Sequence, residues 1–127
     1  FQKGLGGVHA LAHPVGAVYN AHHGLANAIL LPYVMAANRD AISDRMILLG
    51  RTLDLPDANY EGVLKWVLNF REGMYIPNDL AAIGIPADRA EDIGEMAWND
   101  PSAGGNPVAL TAGEYSEIFL KAVQGNL

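Results

Sequence analysis

The chain has 127 residues, 50% of them hydrophobic, with no cysteine and a formal net charge of −6. It is long and apolar enough to bury a core without disulfides or a structural metal, and the lack of cysteine excludes disulfide scaffolds and thiolate metal sites while fitting a cytoplasmic setting. The acidic balance argues against a nucleic-acid or anionic-membrane surface, because both need basic patches.

The pattern is helical almost throughout. From Gly4 to about Val18, the apolar residues Leu5, Val8, Leu11, Ala12 and Val15 recur at three- and four-residue steps, which predicts an amphipathic helix. Gly4, Gly6 and Gly7 are unusual there, since each glycine costs a helix interior roughly 1 kcal/mol relative to Ala. Either a neighbouring helix or a ligand approaches this backbone closely, or the glycines mark a frayed helix end. Pro14 removes one ladder hydrogen bond and predicts a kink near Ala10 to His13. The chain starts at Phe1 and not at Met, which reads as a processed or cut end.

A second helix is expected to open near His22 to Gly24 and to turn Leu25, Ala28, Ile29, Leu31 and Pro32 inward, a largely apolar and central element. Its apolar run, Leu25 to Ala37, is interrupted by Asn27 and Pro32 and falls short of the roughly 20 residues of a bilayer span, so no membrane segment is expected. Asn38 to Ser43 reads as a break before a shorter helix, Arg45 to Leu53. Tyr60 to about Met74 has the clearest periodicity, and its stripe of Val63, Trp66, Val67, Phe70 and Met74 is expected to be core. Pro77 to Ile85 reads as loop. Asp88 with Glu91, and Thr111 with Glu114, have capping-box spacing and predict two further helix starts. Between them, NDPSAGGNP (Asn99 to Pro107) is loop by composition. No alternating strand and no repeat is present. The prediction is one all-α domain, a helical bundle over residues 1–127.

All four histidines, His9, His13, His22 and His23, fall within a 15-residue window. Neutral imidazole is the commonest protein ligand for a catalytic metal. His9 and His13 are four residues apart, so an undistorted helix places their Cβ atoms about 6 Å apart on one face, able to chelate one ion. His23 follows fourteen residues after His9, and a helical hairpin would bring it back over the pair.

The stretch HALAHPVGAVYNAHHGLANAILLPYVMAAN resembles the signature of the iron-containing alcohol dehydrogenase family. There, a helix with a His-x-x-x-His pair is followed by a His-Gly that opens the next helix and by a Leu-Pro. NDPSAGGNPVALTAGEYSEIFLKA is similar to that family's C-terminal loop and last helix. The resemblance implies the helical C-terminal, metal-binding portion of an enzyme whose N-terminal α/β domain binds NAD(P). It implies a divalent metal, Fe2+ or sometimes Zn2+, held by an Asp and a His of an upstream helix together with His9 and His23. It implies that His13 lies near the nicotinamide and metal without being a direct ligand, as a catalytic and cofactor-contacting group that relays the alcohol proton or orients the ring. The reaction implied is hydride transfer between a small alcohol or aldehyde and NAD(P), with the metal as Lewis acid. The resemblance assigns His22 no role, and it is expected to be an exposed helix-start histidine. Phe1 and Tyr19 are candidates for the substrate pocket.

The sequence departs from that family in what precedes His9. It contains no dinucleotide fold and no upstream Asp-x-x-x-His, and Gly4 to Gly7 is not a phosphate-binding fingerprint because no strand leads into it. Two imidazoles hold a divalent ion less well than three with a carboxylate. The isolated chain is therefore expected to bind metal weakly and to lack activity, with the nucleotide-binding domain as its absent partner. A homo-oligomer is also expected. Two alternatives are a non-catalytic helical interaction domain that self-associates through the exposed half-site, and a relative of the maleylacetate reductases, whose histidines serve substrate; retention of His9, His13 and His23 together counts against the latter.

Overall fold

A computed structural model describes residues 6–127, in which six α-helices and two 3-10 turns carry the chain and no strand occurs among the described residues. The expectations for Phe1, Gly4 and Leu5 lie outside that range. Helix α1 (Gly6–Tyr19) runs through Pro14 and buries Val8, Leu11, Ala12 and Val15. Helix α2 (His23–Ala37) follows after a short connection. His22 is its N-cap, the ring Nδ1 accepting the Leu25 amide proton at 3.2 Å, so the exposed histidine expected at this helix start has a local structural task.

The break predicted over Asn38 to Ser43 is a single residue. Asn38 ends α2 and starts α3 (Arg39–Thr52). Ser43 lies inside α3, its hydroxyl donating back to the Arg39 carbonyl at 2.8 Å. Asp40 in the first turn also suits the positive end of the helix dipole.

Helix α4 (Tyr60–Gly73) starts where periodicity placed it, capped by the Asn59 side chain on the Gly62 amide at 2.9 Å. Its apolar stripe is core only in part. Val63 is fully buried, but Trp66, Phe70 and Met74 are 39%, 57% and 60% exposed, with the Trp66 and Phe70 rings stacked 5.4 Å apart. The physical reason is position: α4 lies at the edge of the bundle against α3 and α2, and nothing among the described residues covers the rest of its stripe.

A 3-10 turn (Ala81–Ile83) leads to α5 (Ala90–Trp98). The capping box expected from Asp88 and Glu91 does not form. Arg89 is the N-cap without a side-chain cap bond, and Asp88 instead accepts from the Tyr19 hydroxyl at 3.4 Å. The second 3-10 turn (Pro101–Gly105) and α6 (Ala112–Gln124) complete the chain, and here the box is complete: the Thr111 amide donates to Glu114 at 2.9 Å and the Glu114 amide to the Thr111 hydroxyl at 3.1 Å.

Helices α1 and α2 pack as a hairpin, α5 packs on α1 and closely on α6, and α6 also reaches α2. Leu11, Val15, Ile29, Leu30, Val34, Met35, Ile93, Tyr115 and Phe119 lie in the common core, each at most 1% exposed. The all-α bundle is thus as predicted, and no helix among the described residues is long and apolar enough to cross a membrane.

Candidate metal centre

The hairpin of α1 and α2 sets the histidines in place. His9 and His13 are one turn apart on α1, and His23 is the first residue of α2, so the short connection folds it over the pair. One ring nitrogen from each of His9, His13 and His23 lies within 4.8 Å of the others. The ring centroids are 6.2 Å apart for His9 and His13, 5.9 Å for His9 and His23, and 5.5 Å for His13 and His23. His9 is half-buried while His13 and His23 are exposed. His22 is outside the cluster.

The donor set fits a borderline divalent ion such as Fe2+ or Zn2+. Metal–nitrogen bonds of about 2.1 Å put two donors of a tetrahedral ion about 3.4 Å apart, so closure by roughly an ångström of side-chain rotation brings these nitrogens to bonding separation. All three imidazoles converge, and neither the adjacent pair nor the fourteen-residue pair stands apart.

Sequence reading missed Asp100. Its Oδ2 lies 2.8 Å from Nδ1 of His13, across 87 residues of sequence. Its Oδ1 accepts the Ser102 amide proton at 2.8 Å, capping the second 3-10 turn. Burial pushes the Asp100 carboxyl upward, but the hydrogen bonds from Ser102 and His13 outweigh it and hold the group below its ordinary value. Burial also raises the Tyr115 phenol, and the Asp100 charge adds to that shift. The available signal was Asp-Pro-Ser, an acidic N-cap followed by Pro at the first helical position.

The loop carrying Asp100 is docked on α1. A Cβ at Gly6 would meet the backbone of Ser102, Gly105 and Asn106, and one at Gly7 would come within 2.8 Å of Asn106 Oδ1. Of the two readings open for these glycines, close approach holds at Gly6 and Gly7, and the approaching element is the chain's own 3-10 turn and its flank, neither a neighbouring helix nor a ligand. Asn106 is buried and forms a reciprocal amide pair with Asn38, at 2.8 and 3.1 Å, while its Oδ1 also accepts the Gly7 amide proton at 3.2 Å. This node ties the loop to α1 and to the junction of α2 and α3.

Tyr19, a candidate pocket residue, is committed elsewhere. Its ring stacks on Phe119 at 6.5 Å and its hydroxyl faces Asp88.

The family model described as "Fe-containing alcohol dehydrogenase family, C-terminal" matches residues 2–123. Lactaldehyde reductase of Escherichia coli is 34% identical over 126 residues, covering 94% of this chain and 33% of the relative. Alcohol dehydrogenase 4 of Saccharomyces cerevisiae is 32% identical over 126 residues, covering 94% of this chain and 32% of the relative. Among solved structures, an iron-containing alcohol dehydrogenase from Thermococcus thioreducens superimposes with a TM-score of 0.83 at 28% identity, over 94% of this chain and 32% of that one. The chain spans about a third of the length of the curated relatives it matches.

Proposed function

The chain belongs to the Fe-containing alcohol dehydrogenase family, to its C-terminal part, and from that premise we propose that it is the metal-binding portion of an NAD(P)-dependent alcohol dehydrogenase acting on a small alcohol or aldehyde. The observation that carries the proposal is the convergence of three imidazole nitrogens within 4.8 Å. His9 and His23 would hold Fe2+ or Zn2+, with a carboxylate and a further imidazole supplied by a dinucleotide-binding domain as partner. When bound, the ion would supply Lewis acidity toward the substrate oxygen.

This chain's own contribution is placement. His9 sits on the inner part of α1, where core packing fixes the backbone around it, and His23 is anchored by the first turn of α2. His13 is the more exposed neighbour, and its contact with Asp100 makes it suited to accept or relay the proton of the substrate hydroxyl, or to orient the nicotinamide. With His13 engaged by Asp100, the chain offers His9 and His23 as ligands, and without the carboxylate and further imidazole of the partner domain these form a weak site, so the isolated chain is proposed to be inactive and largely metal-free. A second copy of the chain is the further partner proposed, because Trp66, Phe70 and Met74 leave an apolar face on α4.

Metal analysis tests this reading. The chain purified without chelator is expected to carry far less than one iron or zinc per molecule. Fused to the nucleotide-binding portion of a relative, it is expected to gain about one metal ion per chain together with NAD(P)-linked alcohol oxidation. A fusion that folds yet gains neither would sink the proposal.

A further inference from the structure

We propose that Asp100 is the positioning residue of the site, fixing His13 in the tautomer that carries its proton on Nδ1 and leaves Nε2 as the ring's only acceptor. The argument starts from the capacity of each group. An ionised carboxylate only accepts hydrogen bonds, so at 2.8 Å the shared proton must come from Nδ1 of His13. The other carboxylate oxygen is occupied by the Ser102 amide, which holds Asp100 in its rotamer. The side chain of Asp100 is 13% exposed against 47% for His13, so the fixed partner is the acid and the steered partner is the imidazole.

The loop that presents Asp100 is itself rigidly seated. Asn106 receives the Gly7 amide proton and pairs with Asn38, and Gly6 lets the turn backbone lie directly on α1. The start of α1 therefore docks the loop whose aspartate returns to the same helix at His13. A neutral imidazole that acts as a base needs a free lone pair facing the reaction, and a carboxylate on the opposite ring nitrogen supplies that orientation. The consequence for catalysis rests on the function proposed above; the tautomer does not, and can be measured without activity.

The test is nitrogen-15 NMR of the histidine rings in this chain, at a pH about two units above the ordinary imidazole value of about 6.5. His13 is expected to show a protonated Nδ1 and an unprotonated Nε2. Asp100→Asn keeps an oxygen to cap the turn and turns an N–H donor toward His13. The tautomer should then invert, with the proton on Nε2 and the far-UV circular dichroism unchanged. A wild-type His13 protonated on Nε2, or an unchanged tautomer in a folded Asp100→Asn chain, would overturn the proposal. Should that variant not fold, the wild-type spectrum alone decides. In the metal-loaded fusion, Asp100→Asn is expected to lower kcat on the order of 100-fold with KM little changed. Inversion without loss of turnover would uphold Asp100 as the positioning residue and count instead against His13 as the proton relay.

Discussion

Asp100 Oδ2 and His13 Nδ1 lie 2.8 Å apart, joining the loop after α5 to the exposed face of α1 across 87 residues. The contact has a thermodynamic consequence for the carboxylate. Burial opposes the charge, yet the bonds from Ser102 and His13 prevail and depress the folded-state pKa. A depressed carboxyl contributes stability that is fully present above its unfolded value of about 3.9 and is lost as pH falls through the lower folded value.

Urea midpoints measured through the acid range should therefore fall less steeply below about pH 4 in Asp100→Asn than in the wild type. Equal acid slopes in the two proteins would show that the carboxylate gains nothing from its partners on folding.

Single substitutions at the histidines separate ligands from neighbour. His9→Ala and His23→Ala are each expected to weaken Zn2+ binding by at least about tenfold, or about 1.4 kcal/mol. His13→Ala should change it much less. Calorimetric titration of zinc into the fused protein reads the difference, and an equal loss at all three positions would make His13 a ligand.

Gly6→Ala places a methyl group against the backbone of Ser102, Gly105 and Asn106, none of which is the flexible end of a side chain. The expected cost is about 3 kcal/mol, read from denaturant unfolding. A loss below about 0.5 kcal/mol would mean that the loop is not seated on α1 as described.

Trp66 and Phe70 stack in the open on α4. Replacing both with Glu should abolish the self-association proposed above, read by sedimentation at micromolar concentration, while lowering the unfolding free energy by no more than about 2 kcal/mol, since Phe70 is mostly exposed and Trp66 only partly buried in the monomer. A wild-type chain that sediments as a monomer at the same concentration would remove the second copy from the proposed partners.

The helices were legible because their signals are local. Three- and four-residue apolar steps in α1, α2 and α4, and the Thr111–Glu114 capping box, need no tertiary information. So were the histidine window and its resemblance to a metal-dependent family, because His9, His13 and His23 lie on two consecutive elements. The errors have a common origin. Periodicity in α4 marks which residues share a face but not whether anything covers it, so Trp66, Phe70 and Met74 were expected in the core and are exposed. Asp88 and Glu91 have the spacing of a capping box, yet Asp88 found Tyr19 as its partner.

The sequence alone determined an all-helical chain and the residue types of the candidate metal site, since helix propensity, capping and imidazole chemistry are properties of short segments. Only the tertiary structure decided that Gly6 and Gly7 admit the loop 99–106, that Asn38 and Asn106 lock it, and that Asp100 meets His13. Those contacts join residues 68 to 99 positions apart in the chain, and their partners are set by how the helices pack, which no local pattern encodes.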